Sequence, residues 1–385
     1  MAFYTDSLPD FPWDKLVPAR KRAAAHPGGV CDLTIGTPVD DTPGVVQSAL
    51  GAATNAHGYP LVVGTPELRT AIRDWMARRR GITAPVEILP TIGSKEMVGL
   101  LPSLIGLGPG SRIGFPHVAY PTYDVGARLA GAEPVLVDTG PDVAGWPTDL
   151  DMLWLNSPAN PTGHVLSADQ LRAIVAWARE HDVIVASDEC YAELCWQGSS
   201  APSLLADEVC GGNDAESVRG LLMVYSLSKQ SNMAGYRGAF LAGDPQIVTP
   251  MIELRKHLGF MVPAPVQQAM VAALGDDEHV RSQREVYEAR RTTLLSALDG
   301  AGLHNDPDSV AGLYLWARAE GASSWDVVNA CAELGIVVAP GTFYGEAGDG
   351  YVRMALTAPD AVINEAAQRL ENLPEALKRI SPEIS

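Results

Sequence analysis

Between residues 87 and 242 the chain alternates short apolar runs with longer stretches whose apolar residues recur at helical spacing. A short apolar run bounded by turn residues predicts a buried strand, whereas helical spacing predicts an amphipathic helix. Alternation of the two predicts an α/β fold with a mostly parallel sheet and helices on both faces. Ligand-binding residues of such a sheet gather at the carboxyl ends of its strands. The predicted strands are 87–91, 112–115, 133–137, 152–155, 182–187, 221–225 and 238–242, and the predicted helices include 95–107, 120–130 and 167–181.

The segment that follows the strand at 221–225 carries the clearest chemical signal. Ser226, Ser228 and Lys229 come directly after this buried run, and Arg237 lies eight residues beyond the lysine. Burial disfavours a charged ammonium, so the neutral amine becomes available to form a Schiff base with an aldehyde. The two hydroxyls and the arginine suit a phosphate group. A lysine beside a phosphate site suggests pyridoxal 5'-phosphate (PLP); on this segment alone, a surface lysine in a loop is the alternative.

Two further loops follow predicted strands. Gly93, Ser94 and Lys95 stand between a strand and a helix, where free N–H groups at the helix start suit an anion. An ordinary strand-to-helix turn is the alternative for these residues. Asn160 lies in a loop stiffened by two prolines, which would hold its side chain near the strand ends. The alternative is that this loop serves shape only.

An acid and an arginine stand where isolated charges are costly to bury. Asp188 ends the strand at 182–187, and a buried carboxylate needs a partner such as a pyridinium nitrogen. Tyr191, three residues on, can reach the phenolic oxygen of the same ring. Arg353 lies inside the apolar stretch 350–355, where a carboxylate is its natural partner. The alternatives are a helix-capping role for Asp188 and an internal salt bridge for Arg353.

Composition narrows the possible partners and compartments. The formal net charge of −18 argues against nucleic acid and anionic membranes as partners. No apolar run is long enough to span a membrane, and the acidic N-terminus lacks the features of a signal peptide, which predicts a cytoplasmic protein. The five cysteines show no CxxC pair and the histidines no HExxH, so no metal site is predicted.

The pattern changes after residue 275, where a long charged helix at 278–301 precedes a strand at 312–317. This change predicts a second, smaller α+β domain that the N-terminal segment joins. The predicted division is 1–45 for the N-terminal segment, 46–275 for the large PLP-binding domain and 276–385 for the small domain.

Taken together, the order and spacing of these residues resemble the fold type I PLP-dependent aminotransferases, the aspartate aminotransferase-like superfamily, over nearly the whole chain. Within that family, TIGSKE, LNSPANPTG, SDECYAEL and SLSKQSNMAGYRGAF look most like the actinobacterial succinyldiaminopimelate aminotransferases. The residues that carry the resemblance are Ser94, Tyr120, Asn160, Pro161, Asp188, Tyr191, Ser226, Lys229, Arg237 and Arg353.

The resemblance implies a role for each residue around the cofactor ring. Lys229 holds PLP covalently and later moves a proton between the substrate Cα and the cofactor. Asp188 holds the pyridinium nitrogen, and Tyr120 stacks on the ring. Asn160 and Tyr191 bind the phenolic oxygen of the cofactor.

The resemblance also implies how the substrate and the cofactor phosphate are bound. Arg353 binds the substrate α-carboxylate, with Asn160 and the backbone of Gly36 beside it. Tyr59 reaches the phosphate in the neighbouring subunit, so a homodimer with shared active sites is expected. The residues expected to bind the phosphate within one chain are Gly93, Ser94, Lys95, Ser226, Ser228 and Arg237.

The activity that the resemblance implies is transamination between glutamate and N-succinyl-2-amino-6-ketopimelate, in lysine and diaminopimelate biosynthesis. No second arginine is evident for the distal carboxylate of that substrate. The alternatives are an aminotransferase for aspartate or a neutral amino acid, a PLP carbon–sulfur lyase, and a regulator that carries an aminotransferase-like module. The segment before Val45 is too short and too rich in proline for a DNA-binding domain, which argues against a regulator.

Overall fold

The structure is a computed structural model that describes residues 8–140, 142–196 and 200–381. The predicted domains also include residues 1–7, 141, 197–199 and 382–385, which lie outside the described residues. The strands are β1 Cys31–Asp32, β2 Glu87–Ile92, β3 Arg112–Pro116, β4 Glu133–Val137, β5 Met152–Asn156, β6 Ile184–Asp188, β7 Leu221–Ser226, β8 Gly238–Gly243, β9 His304–Asn305, β10 Tyr314–Arg318, β11 Ile336–Val337, β12 Ala339–Pro340 and β13 Tyr351–Ala355. The helices are α1 Val17–Ala24, α2 Gly44–Ala52, α3 Pro66–Trp75, α4 Ser94–Leu104, α5 Thr122–Ala130, α6 Ala168–Glu180, α7 Asp207–Cys210, α8 Leu227–Gln230, α9 Pro245–Leu258, α10 Ala264–Gly275, α11 Glu278–Gly300, α12 Ser324–Glu333, α13 Asp360–Leu370 and α14 Leu373–Ile380.

Seven strands form the central sheet, in the order β2-β8-β7-β6-β5-β3-β4. The neighbours from β7 to β4 pair in parallel, and β8 is antiparallel to both β7 and β2. Only one strand therefore runs against the others. The predicted α/β fold with a mostly parallel sheet is confirmed.

The pleat of β7 shows why this sheet is apolar on both faces. Leu221, Met223 and Tyr225 pack into one core cluster, while Leu222 and Val224 pack into another. Successive side chains of a strand point to opposite faces, so a strand covered on both faces needs a continuous apolar run. The sequence of β7 is such a run, and all of its residues are buried.

Capping residues mark the starts of helices α6 and α3. The Oγ of Ser167 accepts the N–H of Gln170 at 3.2 Å, and the Gln170 side chain accepts the N–H of Ser167 at 2.8 Å. This reciprocal pair is a capping box, and it starts α6. Helix α3 begins at Pro66 directly after Thr65, whose side chain accepts the N–H of Leu68.

Several predicted element ends differ from the structure, and backbone conformation explains the differences. The strand predicted from residue 182 begins at Ile184, because Asp182 has a φ of 54°. The helix predicted to residue 107 ends at Leu104, and Gly106 then takes a φ of 85°. Positive φ values break both strands and helices, and neither position is apparent from hydrophobic spacing.

Two smaller sheets join the ends of the chain. Strands β12-β13-β10-β9 form an antiparallel sheet, and β1 pairs with β11 in parallel through Cys31 and Ile336. Arg290 on α11 forms a 2.6 Å ion pair with Asp40 of the N-terminal segment. The N-terminal segment thus lies against the C-terminal part of the chain. Within the described residues, no helix is both long and apolar enough to cross a membrane.

Candidate active site

Three adjacent parallel strands bring most of the predicted residues to one edge of the sheet. Asn156 at the end of β5 pairs with Asp188 at the end of β6, and Asp188 pairs with Val224 on β7. The loop that contains Asn160 and the turn that contains Lys229 therefore begin beside Asp188. This edge is the carboxyl end of the strands, where open α/β sheets bind their ligands.

Lys229 lies on α8, a single helical turn that follows β7 directly. The Oγ of Ser226 accepts the N–H of Ser228 at 3.2 Å, and its hydroxyl donates to the Ser228 Oγ at 2.8 Å. The Lys229 side chain is partly buried, and its Nζ donates a hydrogen bond to the backbone oxygen of Gly36. A Cβ at position 36 would lie 1.8 Å from the hydroxyl oxygen of Tyr314, so this close approach requires glycine.

Asp188 is a buried carboxylate whose partners are neutral donors. The Cys190 N–H donates to its Oδ1 at 3.2 Å, and the Tyr123 hydroxyl donates to its Oδ2 at 3.1 Å. Burial raises the pKa of Asp188, and the hydrogen bonds from Cys190 and Tyr123 offset only part of that rise. In the part of the chain that the structure describes, no arginine or lysine pairs with this carboxylate. A cationic group bound here would find an acid already in place.

Arg353 on β13 is the opposite case, a buried cation without an acid. It is 3% exposed, and its Nη1 and Nη2 donate to the Asn160 Oδ1 at 2.9 Å and to the Thr34 backbone oxygen at 2.6 Å. Its Nε has no hydrogen-bond partner. The rings of Tyr314 and Tyr344 lie 3.8 and 5.0 Å from the guanidinium carbon. The internal salt bridge considered as an alternative is absent among the described residues, so the guanidinium has no anionic partner there, and a carboxylate is its natural one.

Asn160 is positioned by its own loop. Its backbone N–H donates to the Oδ1 of Asn156 at 2.7 Å, and the peptide bonds before Pro158 and Pro161 are cis. The side-chain oxygen faces Arg353. The loop therefore brings an amide beside the buried guanidinium.

An anion site lies at the start of α4. Gly93 has a φ of 75°, and its N–H donates to the Arg237 backbone oxygen at 2.8 Å. A Cβ on Gly93 would lie 2.0 Å from the Arg237 Nη2, so the arginine side chain lies against this glycine. Ser94 is the first residue of α4 and offers a free backbone N–H. Lys95 lies beside Tyr120, with its Nζ 5.7 Å from the ring centre.

Tyr191 and Tyr59, both predicted to bind the cofactor, have surroundings unlike each other. The Tyr191 hydroxyl is buried and lies 3.3 Å from the Tyr314 hydroxyl. Tyr59 is 95% exposed, and no hydrogen bond or ring contact joins it to the other predicted residues within the described ranges. A role for Tyr59 thus depends on a second chain.

Three tyrosines at the site were not predicted from the sequence: Tyr123, Tyr314 and Tyr344. Burial would raise the pKa of Tyr314, but the positive charges of Arg353 and Lys229 outweigh that effect and lower it. The one available signal concerned Tyr123, which lies three positions after Tyr120 in the segment predicted as a helix and would share its face there, although α5 begins only at Thr122. Tyr314 and Tyr344 look like ordinary core aromatics in the sequence.

The residues present fit PLP, the cofactor that the resemblance implies. A buried acid without a cation suits the pyridinium nitrogen, and the orphaned Nε of Arg353 suits the carboxylate of an amino acid substrate. Because Gly93 has no side chain, the Arg237 guanidinium lies close to the start of α4, and the two together suit a phosphate. Lys229 supplies the amine. The set of donors and acceptors matches the charges of the cofactor and an amino acid.

Sequence and structure comparisons agree with this chemistry. A family model described as aminotransferase class I and II matches residues 29–370. The 4-dedimethylamino-4-oxo-anhydrotetracycline transaminase OxyQ of Streptomyces rimosus is 52% identical over 94% of this chain and 99% of its own length. The probable aminotransferase Rv1178 of Mycobacterium tuberculosis is 50% identical over 94% of this chain and 85% of its own length.

Among solved structures, the probable N-succinyldiaminopimelate aminotransferase of Thermus thermophilus matches with a TM-score of 0.83 and 29% identity, over 94% of this chain and all of that one. The predicted resemblance to PLP-dependent aminotransferases is confirmed by these matches. The narrower resemblance to succinyldiaminopimelate enzymes is not singled out, because OxyQ and Rv1178 share more of the sequence.

Proposed function

We propose, from the premise that this chain belongs to the class I and II aminotransferase family and uses PLP, that it transfers an amino group from glutamate to N-succinyl-2-amino-6-ketopimelate. The observation that carries the proposal is Arg353, a guanidinium 3% exposed that meets no acid among the described residues. A buried cation of this kind is costly unless an anion completes it. Both glutamate and the keto acid present an α-carboxylate to it. The name of the T. thermophilus relative supports the choice of acceptor.

The chain's own residues orient the substrate and move the proton. Bound PLP supplies an electron sink for charge that develops at the substrate Cα. Arg353 and Asn160 bind the α-carboxylate and fix the Cα–H bond. The Lys229 Nζ takes the proton from that carbon and later returns a proton to complete the exchange.

Asp188, Tyr191 and the anion site would hold the cofactor in the position that this proton transfer requires. Asp188 would accept a hydrogen bond from the protonated ring nitrogen, and a ring held in that form would keep its capacity to accept electrons. Tyr191 would donate to the phenolic oxygen of the cofactor. Ser94, Arg237 and the first N–H groups of α4 would bind its phosphate. Orientation of this kind accounts for much of the rate.

A second candidate is amination of a ring ketone. OxyQ is named as the transaminase of an oxo-anhydrotetracycline, and it is 52% identical to this chain over almost its full length. Such an acceptor is a large polycyclic ketone without an α-keto acid group. Both candidates use the same donor half-reaction and the same Lys229. They differ in whether the acceptor contacts Arg353.

The test is a set of separate half-reactions. The PLP form of the enzyme is mixed with N-succinyldiaminopimelate, and in parallel with glutamate, aspartate and a neutral amino acid, while the cofactor absorption is followed. We expect fast conversion by the succinylated compound and by glutamate, and slow conversion by the others. The amine form is then offered the succinylated keto acid and a polycyclic ketone. Failure of the succinylated compounds with fast conversion by another pair would discard the acceptor and keep the aminotransferase.

The working unit is a homodimer in which Tyr59 of each chain reaches the phosphate site of the other. The 95% exposure of Tyr59 and the 54% exposure of Leu61 support this arrangement, since an apolar surface patch commonly marks an interface. Sedimentation velocity should give twice the 40.8 kDa chain mass. Tyr59→Phe should weaken PLP binding by about tenfold, the effect of one hydrogen bond to a charged group. A fully active enzyme that sediments as a single chain would contradict the proposal.

A further inference from the structure

Tyr123 contacts Asp188 from the side of the sheet that carries α5. Its hydroxyl donates to the Asp188 Oδ2 at 3.1 Å, while the backbone N–H of Cys190 donates to the Oδ1. The Tyr123 side chain is fully buried. Each carboxylate oxygen thus has a donor inside the protein, and the Cys190 thiol is a further one. Among the described residues, the Tyr123 hydroxyl is the side-chain group that donates a hydrogen bond to the Asp188 Oδ2.

The ring of Tyr123 is held in place by aromatic neighbours. Its centroid lies 5.2 Å from that of Trp154 on β5, at an interplanar angle of 31°. The ring of Tyr120 meets it edge to face at 6.1 Å and 85°. Packing on two sides fixes the hydroxyl relative to Asp188. The hydrogen bond therefore needs no reorganisation when a ligand binds.

Burial raises the pKa of Tyr123 well above its usual value, and the nearby charge of Asp188 adds to the rise. The phenol therefore stays protonated and acts as a donor. A hydrogen bond donated to a carboxylate stabilises its ionised form and lowers its affinity for a proton. The thiol of Cys190 also lies beside Asp188, but burial keeps it neutral by raising its pKa. Tyr123 and Cys190 together thus oppose the tendency of burial to neutralise Asp188.

We propose that Tyr123 is a positioning residue that keeps Asp188 ionised, and thereby keeps the shared proton on the ring nitrogen of the bound cofactor. A proton between a carboxylate and a pyridine nitrogen lies on the stronger base. Without the tyrosine hydroxyl, Asp188 becomes a stronger base, so the shared proton moves towards it and the ring loses part of its positive charge. A neutral ring is a weaker electron sink. The inference rests on the proposed contact between Asp188 and that nitrogen.

The experiment uses the Tyr123→Phe holoenzyme loaded with PLP that is ¹⁵N-labelled in its ring. The ¹⁵N chemical shift reports protonation of the ring nitrogen independently of turnover. We expect it to move towards the unprotonated value. The rate of the glutamate half-reaction should fall about tenfold, as one hydrogen bond to a charged group would give.

The matched control is Tyr287→Phe. Tyr287 is another fully buried tyrosine, and its hydroxyl donates to the Asn232 Oδ1 at 3.4 Å rather than to Asp188. This variant loses the same atom and should leave the ¹⁵N shift unchanged. If Tyr123→Phe also leaves the shift unchanged, and lowers only the melting temperature, Tyr123 is structural and the inference is wrong.

Asp188→Asn separates this inference from the proposed function. A normal ¹⁵N shift in Asp188→Asn would show that the acid does not meet the ring nitrogen, and the proposed site would fail. If Asp188→Asn removes the protonated signal while Tyr123→Phe does not, the site stands and the inference fails. In the double variant, Tyr123→Phe should add nothing, because the carboxylate through which it acts is gone.

Discussion

Lys229→Ala should lower the rate of amino transfer about 1000-fold or more, because it removes the amine that holds the cofactor and moves the substrate proton. The variant also loses the hydrogen bond from the Nζ to the Gly36 oxygen. That bond lies at a partly exposed site, so the fold should survive. Steady-state rates with glutamate and a keto acid give the loss, and thermal unfolding checks the fold.

Borohydride reduction gives an independent reading of the same residue. Reduction of the wild-type holoenzyme should fix PLP on the peptide that contains Lys229, and the variant should release it. Lys256→Ala is the matched control, since Lys256 is exposed and, among the residues that the structure describes, pairs only with Glu253 at 2.6 Å. The control should keep wild-type rates. Transamination by Lys229→Ala at the wild-type rate would end the assignment of this lysine.

Arg353→Ala should lower kcat/KM for amino acid donors by about 100-fold or more, because loss of one member of a buried ion pair costs about 3–5 kcal/mol. The affinity for PLP itself should change little, since Arg353 contacts Asn160 and the Thr34 backbone rather than the phosphate site. The half-reactions with glutamate and with the keto acid are measured separately. An unchanged KM for both substrates would remove Arg353 from the site.

The same variant distinguishes the two candidate acceptors. If the acceptor is an α-keto acid, both half-reactions should be impaired. If it is a ring ketone, the donor half-reaction alone should be impaired. Arg369→Ala is the control: it is also buried, but it donates to the backbone oxygens of Gly28 and Gly29. That variant should lower thermal stability and leave KM unchanged.

The sequence was sufficient for the fold because each strand of the central sheet is a strong local signal. The continuous apolar run of β7 and the capping box of α6 are legible within a few residues. The polar residues that follow such strands stand directly beside them in the sequence, which is why Asp188 and Lys229 were recognised. Ends of elements were less predictable, because they depend on single positive φ values such as that of Asp182.

Residues whose role depends on distant contacts were not recognised. Tyr123 is 65 positions from Asp188, and Tyr314 is 123 positions from Tyr191. The spacing of residues in the sequence indicates neither hydrogen bond. A buried tyrosine in a core aromatic cluster looks the same in sequence whether its hydroxyl faces an acid or nothing. The geometry of the sheet edge is what gives these hydroxyls their partners.

The contacts that the N-terminal segment makes have a consequence for synthesis on the ribosome. Gly36 meets Lys229, 193 positions later, and Thr34 meets Arg353, 319 positions later. The central sheet is complete once β8 has emerged, but the contact between Thr34 and Arg353 needs β13, which is made afterwards. Native contacts so far apart form late and slow the approach to the final state. A nascent chain halted before β13 would have a complete central sheet but an N-terminal segment that lacks its contact with Arg353. Such a chain would bind chaperones before it could bind substrates.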